Sequence, residues 1–207
     1  MLSGTPETGL GAAQLIIGVD EAGRGPLAGP VVAGAVVLGK SAPVGLADSK
    51  KLSAKRRAIL DVKIRESCAW GLGVIEPAQI DEINILQATF EAMTQAVARL
   101  CAVLNTVPTQ VLIDGNMTPQ GRRDGWIWPA RAIIGGDGSE PCISAASIIA
   151  KEYRDRIMIA AAQDHPEYGW ESNKGYGSKH HMDALKQHGP TSLHRHSFAP
   201  VAQAALL

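Results

Sequence analysis

The first apolar stretch of the chain, Leu15-Ile16-Ile17-Gly18-Val19, is short, β-branched and bounded by glycine, which predicts a buried strand running into Asp20-Glu21. A second such run, Pro30 to Leu38, predicts a second buried strand. Residues 53–66 read as a helix that Ser53 can cap, and Ala69 to Ile75 as a third strand. Glu76-Pro77-Ala78-Gln79-Ile80 turns into helix, proline being tolerated in a first turn. From Ile83 to Leu104 the apolar positions (Ile83, Leu86, Phe90, Met93, Val97, Leu100, Leu104) keep helical spacing, the mark of a packing helix. Gln110 to Ile113 is a further strand ending in Asp114-Gly115; residues 117–129 are turn-rich, and Arg131 to Ile134 is a short strand followed by Gly135-Gly136-Asp137-Gly138. A strong helix runs from Ile143 to about Gln163. Strands alternating with helices predict an α/β fold with a site at one edge of its sheet.

Composition narrows the picture only a little. The 207 residues, 45% hydrophobic and 19% charged, suit one soluble domain with a modest appendage. The formal net charge is zero, so any nucleic-acid affinity must come from local clusters. Three cysteines without a C-x-x-C pair argue against a disulfide framework or zinc ribbon and suit a reducing cytoplasm. No apolar run reaches the ~18 residues a membrane span needs. Met1 to Ala13 lacks a basic region ahead of its apolar residues, so it reads as a flexible N-terminal tail rather than a secretory signal.

Some local patterns are ambiguous. Gly34 to Ser41 matches the phosphate-loop pattern letter for letter, but strand formers fill it and no helix follows, which marks a chance match. The basic stretch Asp48 to Arg57 is either the solvated face of a helix start or a phosphate patch. Beyond His165-Pro166 the chain holds five of its six histidines and few large apolar residues, which reads as a mildly basic, solvated surface. Zinc is disfavoured there, because no cysteine is near and no spacing fits a tetrahedral site. Tyr176, between Gly175 and Gly177, reads as a surface tyrosine whose ring could stack on a base or sugar.

The acids carry the chemistry. Three times an apolar strand ends in a carboxylate near glycine, so Asp20, Glu21, Asp114 and Asp137 can converge although far apart in the chain. Adjacent strand residues point to opposite faces, so Glu21 joins Asp20 only if the strand breaks at Ala22-Gly23. Carboxylates without histidine or cysteine offer hard oxygen ligands suited to Mg2+ or Mn2+. Two such ions roughly 4 Å apart can hold the attacking water and the leaving oxygen of a phosphodiester. Arg24, Lys50, Lys51 and Lys151 would position a phosphate backbone, and Ser147 shares a helix face with Lys151.

Several ordered runs carry a resemblance: Gly18-Val19-Asp20-Glu21-Ala22-Gly23-Arg24-Gly25-Pro26, Asp48-Ser49-Lys50-Lys51-Leu52, Ile83 to Thr89, Ile113-Asp114-Gly115-Asn116, Ser144 to Lys151, Lys174-Gly175-Tyr176, Gly189-Pro190-Thr191 and His194-Arg195. Together they resemble the type 2 ribonuclease H (ribonuclease HII) family over roughly residues 15 to 198. The resemblance implies an RNase H-like fold: a central mixed β-sheet flanked by helices within one catalytic domain, residues 14–207. Its C-terminal helical and loop extension, from about residue 165 to 207, contacts substrate. It implies endonucleolytic cutting of RNA in RNA–DNA hybrids and 5′ of single ribonucleotides embedded in duplex DNA, leaving 5′-phosphate and 3′-hydroxyl ends. Asp20, Glu21, Asp114 and Asp137 match the catalytic acids that bind Mn2+ or Mg2+. Gly23, Arg24 and Gly25 match the sensor of the ribose 2′-hydroxyl, and Tyr176 matches a tyrosine that stacks on the following deoxyribose. Ser49, Lys50, Ser147 and Lys151 match backbone-contacting positions. A cytoplasmic monomer acting without a membrane is the corresponding expectation. Gly135 stands where the family usually has lysine, Gly177 where it commonly has proline, and the stretch from Asp114 to Asp137 is longer than usual. Two other classes stay open: a non-catalytic hybrid-binding module, and a nucleotide hydrolase built on Gly34 to Ser41.

Overall fold

In the computed structural model, which describes residues 15–46, 49 and 52–205, the opening apolar run is β1 (Ile16–Ala22). It is followed by β2 (Val31–Val37), α1 (Ala54–Ser67), β3 (Ala69–Ile75), α2 (Pro77–Leu104), β4 (Gln110–Asp114) and β5 (Ala130–Ile133). After these come α3 (Gly136–Ser139), α4 (Pro141–Asp164), α5 (Trp170–Asn173), α6 (Lys179–His188) and α7 (Ala199–Ala204). The tail Met1 to Ala13 lies outside the described residues. The five strands form one mixed sheet in the order β3-β2-β1-β4-β5, with β1, β2 and β3 antiparallel and β1, β4 and β5 parallel.

Each face of the sheet is covered by a helical layer because both faces are apolar. Ile17, Val19, Val31, Ala33, Ala35, Val111 and Ile113 pack with Phe90, Met93, Val97 and Leu100 of α2. On the other face Val36 meets Ala145, Ala146 and Ile149 of α4 and Leu60 and Ile64 of α1, while Leu112 meets Cys142 and Ile143. A Cβ at Gly18 would lie 2.2 Å from the Cys142 carbonyl carbon, so only glycine lets α4 lie directly on β1. Buried Asp61 accepts from Arg65 and Arg156 and ties α1 to α4.

Most elements fall where the pattern places them, and Ser53 caps α1 by accepting from the Arg56 amide at 3.3 Å. Gly34 to Val37 lie inside β2 and the next helix begins only at Ala54, so the phosphate-loop lookalike has no helix to open. Three differences stand out. β1 does not break at its acids: Asp20 pairs with Gly34, Glu21 with Ala33 and Ala22 with Val32. The two helical stretches around residues 76–104 are one helix interrupted at Asn84 (φ 66, ψ 162), whose Oδ1 accepts from the amides of Leu86 and Gln87 and so caps the longer part. The turn-rich segment 117–129 is a structural cover: Trp126 and Trp128 are buried edge to face, 5.2 Å apart, and Arg123 pairs with Glu91 of α2.

The end of the chain departs furthest from expectation. It is not a solvated surface but a second small core, in which Leu27, Met158, Tyr168, Trp170, Leu185 and Val201 pack together. His181 and His194 are fully buried inside it.

Candidate active site

The β1–β4 register pairs Gly18 with Leu112 and Val19 with Ile113, so one step further sets Asp20 beside Asp114. Alternation puts both on the α4 face, since Gly18 and Leu112 already point there. Asp137 reaches them differently. It does not end a strand: β5 stops at Ile133, Gly135 turns the chain in the left-handed region (φ 68), and α3 brings Asp137 back. Its amide donates to Asp114 Oδ1 at 3.3 Å, and Ser144 Oγ donates to its carbonyl at 2.6 Å. Oxygens of Asp20, Asp114 and Asp137 thus lie within 4.8 Å of one another, with Asp20 and Asp137 buried. Glu21 stands outside this trio. Its Oε1 lies 3.4 Å from Arg24 Nη1, and its charge still reaches Asp20. Its amide serves the trio instead, donating to Asp20 Oδ1 at 2.7 Å.

Burial holds the Asp20 carboxyl well above the usual carboxylate range, with the neighbouring charges of Glu21 and Asp114 adding to the effect. A hydrogen bond with Ser147 and the Glu21 amide pull the other way. Ser147 also meets Ser49 Oγ at 2.8 Å, so Ser49, ahead of α1, is wired to the carboxylates. Arg57 fixes Ser49 by donating to its carbonyl at 3.1 Å while pairing with Glu152. Lys151 pairs with Asp155 at 2.8 Å. Lys50, with Asp48 and Lys51, lies outside the described residues.

Beside the trio is a cavity of about 240 Å³ whose wall brings together Glu21, Gly23, Arg24 and Gly25 from the turn after β1, and Ser49. Ser147, Lys151 and Arg154 line it from α4 and Tyr176 from the C-terminal segment. The Tyr176 ring is half exposed and sits 3.6 Å from where a Gly25 Cβ would be. Sequence reasoning missed Arg154, although it continues the Ser147–Lys151 helix face at the next turn. It also missed any role for Arg195, His181 and His194, which no local pattern marks as buried.

The two histidines form a closed network. His194 Nδ1 accepts from the Thr191 amide at 2.9 Å, so its Nε2 carries the proton and donates to His181 Nε2 at 3.0 Å. His181 Nε2 also accepts from Trp170 Nε1, and its Nδ1 donates to the Tyr176 carbonyl at 2.9 Å. Every ring nitrogen is used, so a further proton would displace one of these bonds. Burial, then the neighbouring His181, push His194 down to about 3; burial also lowers His181. Below the ordinary histidine value the unfolded chain takes up protons that the folded one refuses, so stability falls as pH drops from about 6.5 toward 3. Between pH 6.5 and 5 the loss from His194 is about 1–2 kcal/mol. Asp20 pulls the opposite way, so the expected observation is a difference: metal-free His194→Gln loses less stability to urea between pH 7 and 5 than the parent. Parallel pH profiles would overturn it.

A five-stranded mixed sheet whose adjoining parallel strands β1 and β4 set Asp20 beside Asp114, with Asp137 folded back onto them by α3, is the arrangement of a nuclease of the ribonuclease H class. The comparisons agree. The family model described as Ribonuclease HII matches residues 17–201. Ribonuclease HII of Erythrobacter litoralis is 64% identical, covering all of this chain and 99% of that protein. The crystal structure of ribonuclease H2 from Pyrococcus horikoshii OT3 superposes with a TM-score of 0.74 at 27% identity, over 92% of this chain and 97% of that one. Bst-RNase HIII in complex with Mn2+ shares the fold, with a TM-score of 0.78 at 19% identity over 94% of this chain and 70% of that one. The chain belongs to the ribonuclease HII family, and it is a ribonuclease H endonuclease.

Proposed function

We propose that this enzyme hydrolyses the RNA strand of RNA–DNA hybrids and incises 5′ of single ribonucleotides in duplex DNA, with Asp20, Glu21, Asp114 and Asp137 serving divalent metal ions. The observation that carries this is the carboxylate trio. A binding module would gain nothing from burying acids where a phosphate backbone must approach, because they repel it. The residues fit the metal: the donor set is all oxygen, which suits Mg2+ and Mn2+, and burial, with the charges of Glu21 and Asp114 added, holds the Asp20 carboxyl up, a cost that a bound cation would offset. Asp20, Asp114 and Asp137 would hold the ions directly, with Glu21 reaching them by a side-chain rotation away from Arg24. When bound, two ions supply activation of water and stabilisation of the leaving 3′-oxygen, which gives 5′-phosphate and 3′-hydroxyl ends.

The other residues bind and orient. Gly23, Arg24 and Gly25 would meet the ribose 2′-hydroxyl, the group that separates RNA from DNA. Tyr176, half exposed beside Gly25, would stack on the following sugar. Ser49, Lys50, Ser147 and Lys151 would take the backbone phosphates on either side. The C-terminal extension belongs to the same catalytic domain, because its core includes Leu27 and Met158. Among the described residues no helix is long and apolar enough to cross a membrane. The proposal includes a cytoplasmic monomer working in ribonucleotide excision. The decisive experiment is a DNA duplex carrying one ribonucleotide, incubated with Mn2+ or Mg2+. Incision 5′ of the ribonucleotide that EDTA abolishes is expected; no incision, or incision that survives EDTA, refutes it.

A further inference from the structure

Two arginines lie fully buried beneath the recognition turns, and all their hydrogen bonds go to backbone carbonyls. Arg195 donates to the carbonyls of Gly23 and Gly29 and, at 2.9 Å, of Arg24. Arg154 donates to Pro30 at 2.9 Å, Ala28 at 3.0 Å and Lys174 at 2.9 Å. Arg195 therefore closes the Gly23–Gly29 turn on itself, and Arg154 couples that turn to the one carrying Tyr176. The coupling is reinforced where the Leu27 amide donates to the Gly175 carbonyl at 2.8 Å. Gly23 (φ 96) makes room for this: a Cβ there would sit 2.1 Å from Arg154 Nε.

The orientation has a consequence for recognition. All the described peptides are trans, so each carbonyl points opposite to the amide of the next residue. With the Gly23 and Arg24 carbonyls drawn inward onto Arg195, the amides of Arg24 and Gly25 face outward beside the cavity. Neither amide donates to another described residue.

We propose that Arg154 and Arg195 are positioning residues for ribose recognition, locking the Gly23–Pro30 and Lys174–Gly177 turns into one rigid reader that holds the Arg24 and Gly25 amides toward the 2′-oxygen. This rests on Gly23 to Gly25 being the ribose sensor. A lysine ammonium is a point charge with three rotatable donors on a flexible stem and cannot hold three carbonyls in a fixed plane. Two buried cations with no carboxylate at ion-pair distance among the described residues are costly to keep, which suits a role beyond packing.

The test measures binding in an Asp114→Asn background with Mg2+, comparing one duplex containing a single ribonucleotide with the same duplex as DNA throughout. Adding Arg195→Lys or Arg154→Lys should lower the preference for the ribonucleotide duplex by about tenfold, the worth of a hydrogen bond, while affinity for all-DNA duplex stays put. A purely structural role would weaken both equally. Retention of the full preference in folded variants overturns the proposal. If Asp114→Asn itself shows no preference, the ribose-sensor reading falls and takes the proposal with it, a result distinguishable from the first. Should neither variant fold, amide exchange in the unsubstituted protein decides. The hydrogen-bonded amides of Leu27, Gly29, Gly175 and Tyr176 exchanging as slowly as those of β1 supports the locked reader, and rapid exchange at them overturns it.

Discussion

Replacing Asp20 by asparagine abolishes incision of the single-ribonucleotide duplex, by roughly 10⁴-fold or more, as expected when one member of an interdependent catalytic group is lost. Asparagine keeps the shape and one oxygen, so the Glu21 amide retains its acceptor and the fold persists. What disappears is a charge that the trio needs for divalent ions. Asp114→Asn should behave the same way, with the Asp137 amide keeping its bond to Oδ1. A variant cutting near the parent rate would refute the site.

Stability should move in the opposite direction from activity. The Asp20 carboxyl titrates above its unfolded value, so from the ordinary carboxylate range up to its own pKa the folded chain binds more protons and loses stability as pH rises. At neutral pH without metal the group is a burden that asparagine removes. Each kcal/mol relieved raises the melting temperature of a chain this size by about 2–4 °C. Metal binding should stabilise the parent and leave Asp20→Asn nearly unchanged, since a ligand stabilises only the state that binds it. Melting curves with EDTA and with Mn2+ read both effects. A metal-free Asp20→Asn that melts below the parent would mean the acids are satisfied without metal.

How much of this was visible in the chain depends on the reach of each interaction. The apolar runs of β1 to β4 and the spacing of α2 and α4 reported the sheet and its layers, because burial of one face writes itself locally. The end of β1 was hidden, since Asp20 and Glu21 look like a terminus until Gly34 and Ala33 are found paired beside them. Glu21 is not in the trio, although its charge still acts on Asp20. Asp137 looked like another strand end because the turn through Gly135 leaves no local trace of the helical return. Arg195 and His194 were illegible for a different reason. Their partners are carbonyls and rings elsewhere in the chain, Gly23 being 172 positions from Arg195, and nothing near them says that a charge is buried.

The contact that joins fold to chemistry is the one at Gly18, and Gly18→Ala should damage both. The added methyl would stand 2.2 Å from the Cys142 carbonyl carbon and 2.4 Å from the Ile143 amide nitrogen, backbone that cannot rotate away. Either α4 lifts or β1 bends, at roughly 1–3 kcal/mol or more for overpacking a tight interface. Because α4 carries Ser147 against Asp20 and Ser144 against Asp137, a shift of about 1 Å misplaces two acids at once and costs about 10²-fold in kcat. KM should rise as well, since α4 also carries Ser147, Lys151 and Arg154 along the cavity wall. Gly71→Ala is the control: its methyl would meet Ala96 of α2 at 2.4 Å, at the far edge of the sheet and on the opposite face. It should lower the melting temperature and leave kcat alone. If both variants lose stability and kcat in proportion, the loss is one of folding, and the close seat of α4 on β1 is not what aims the carboxylates.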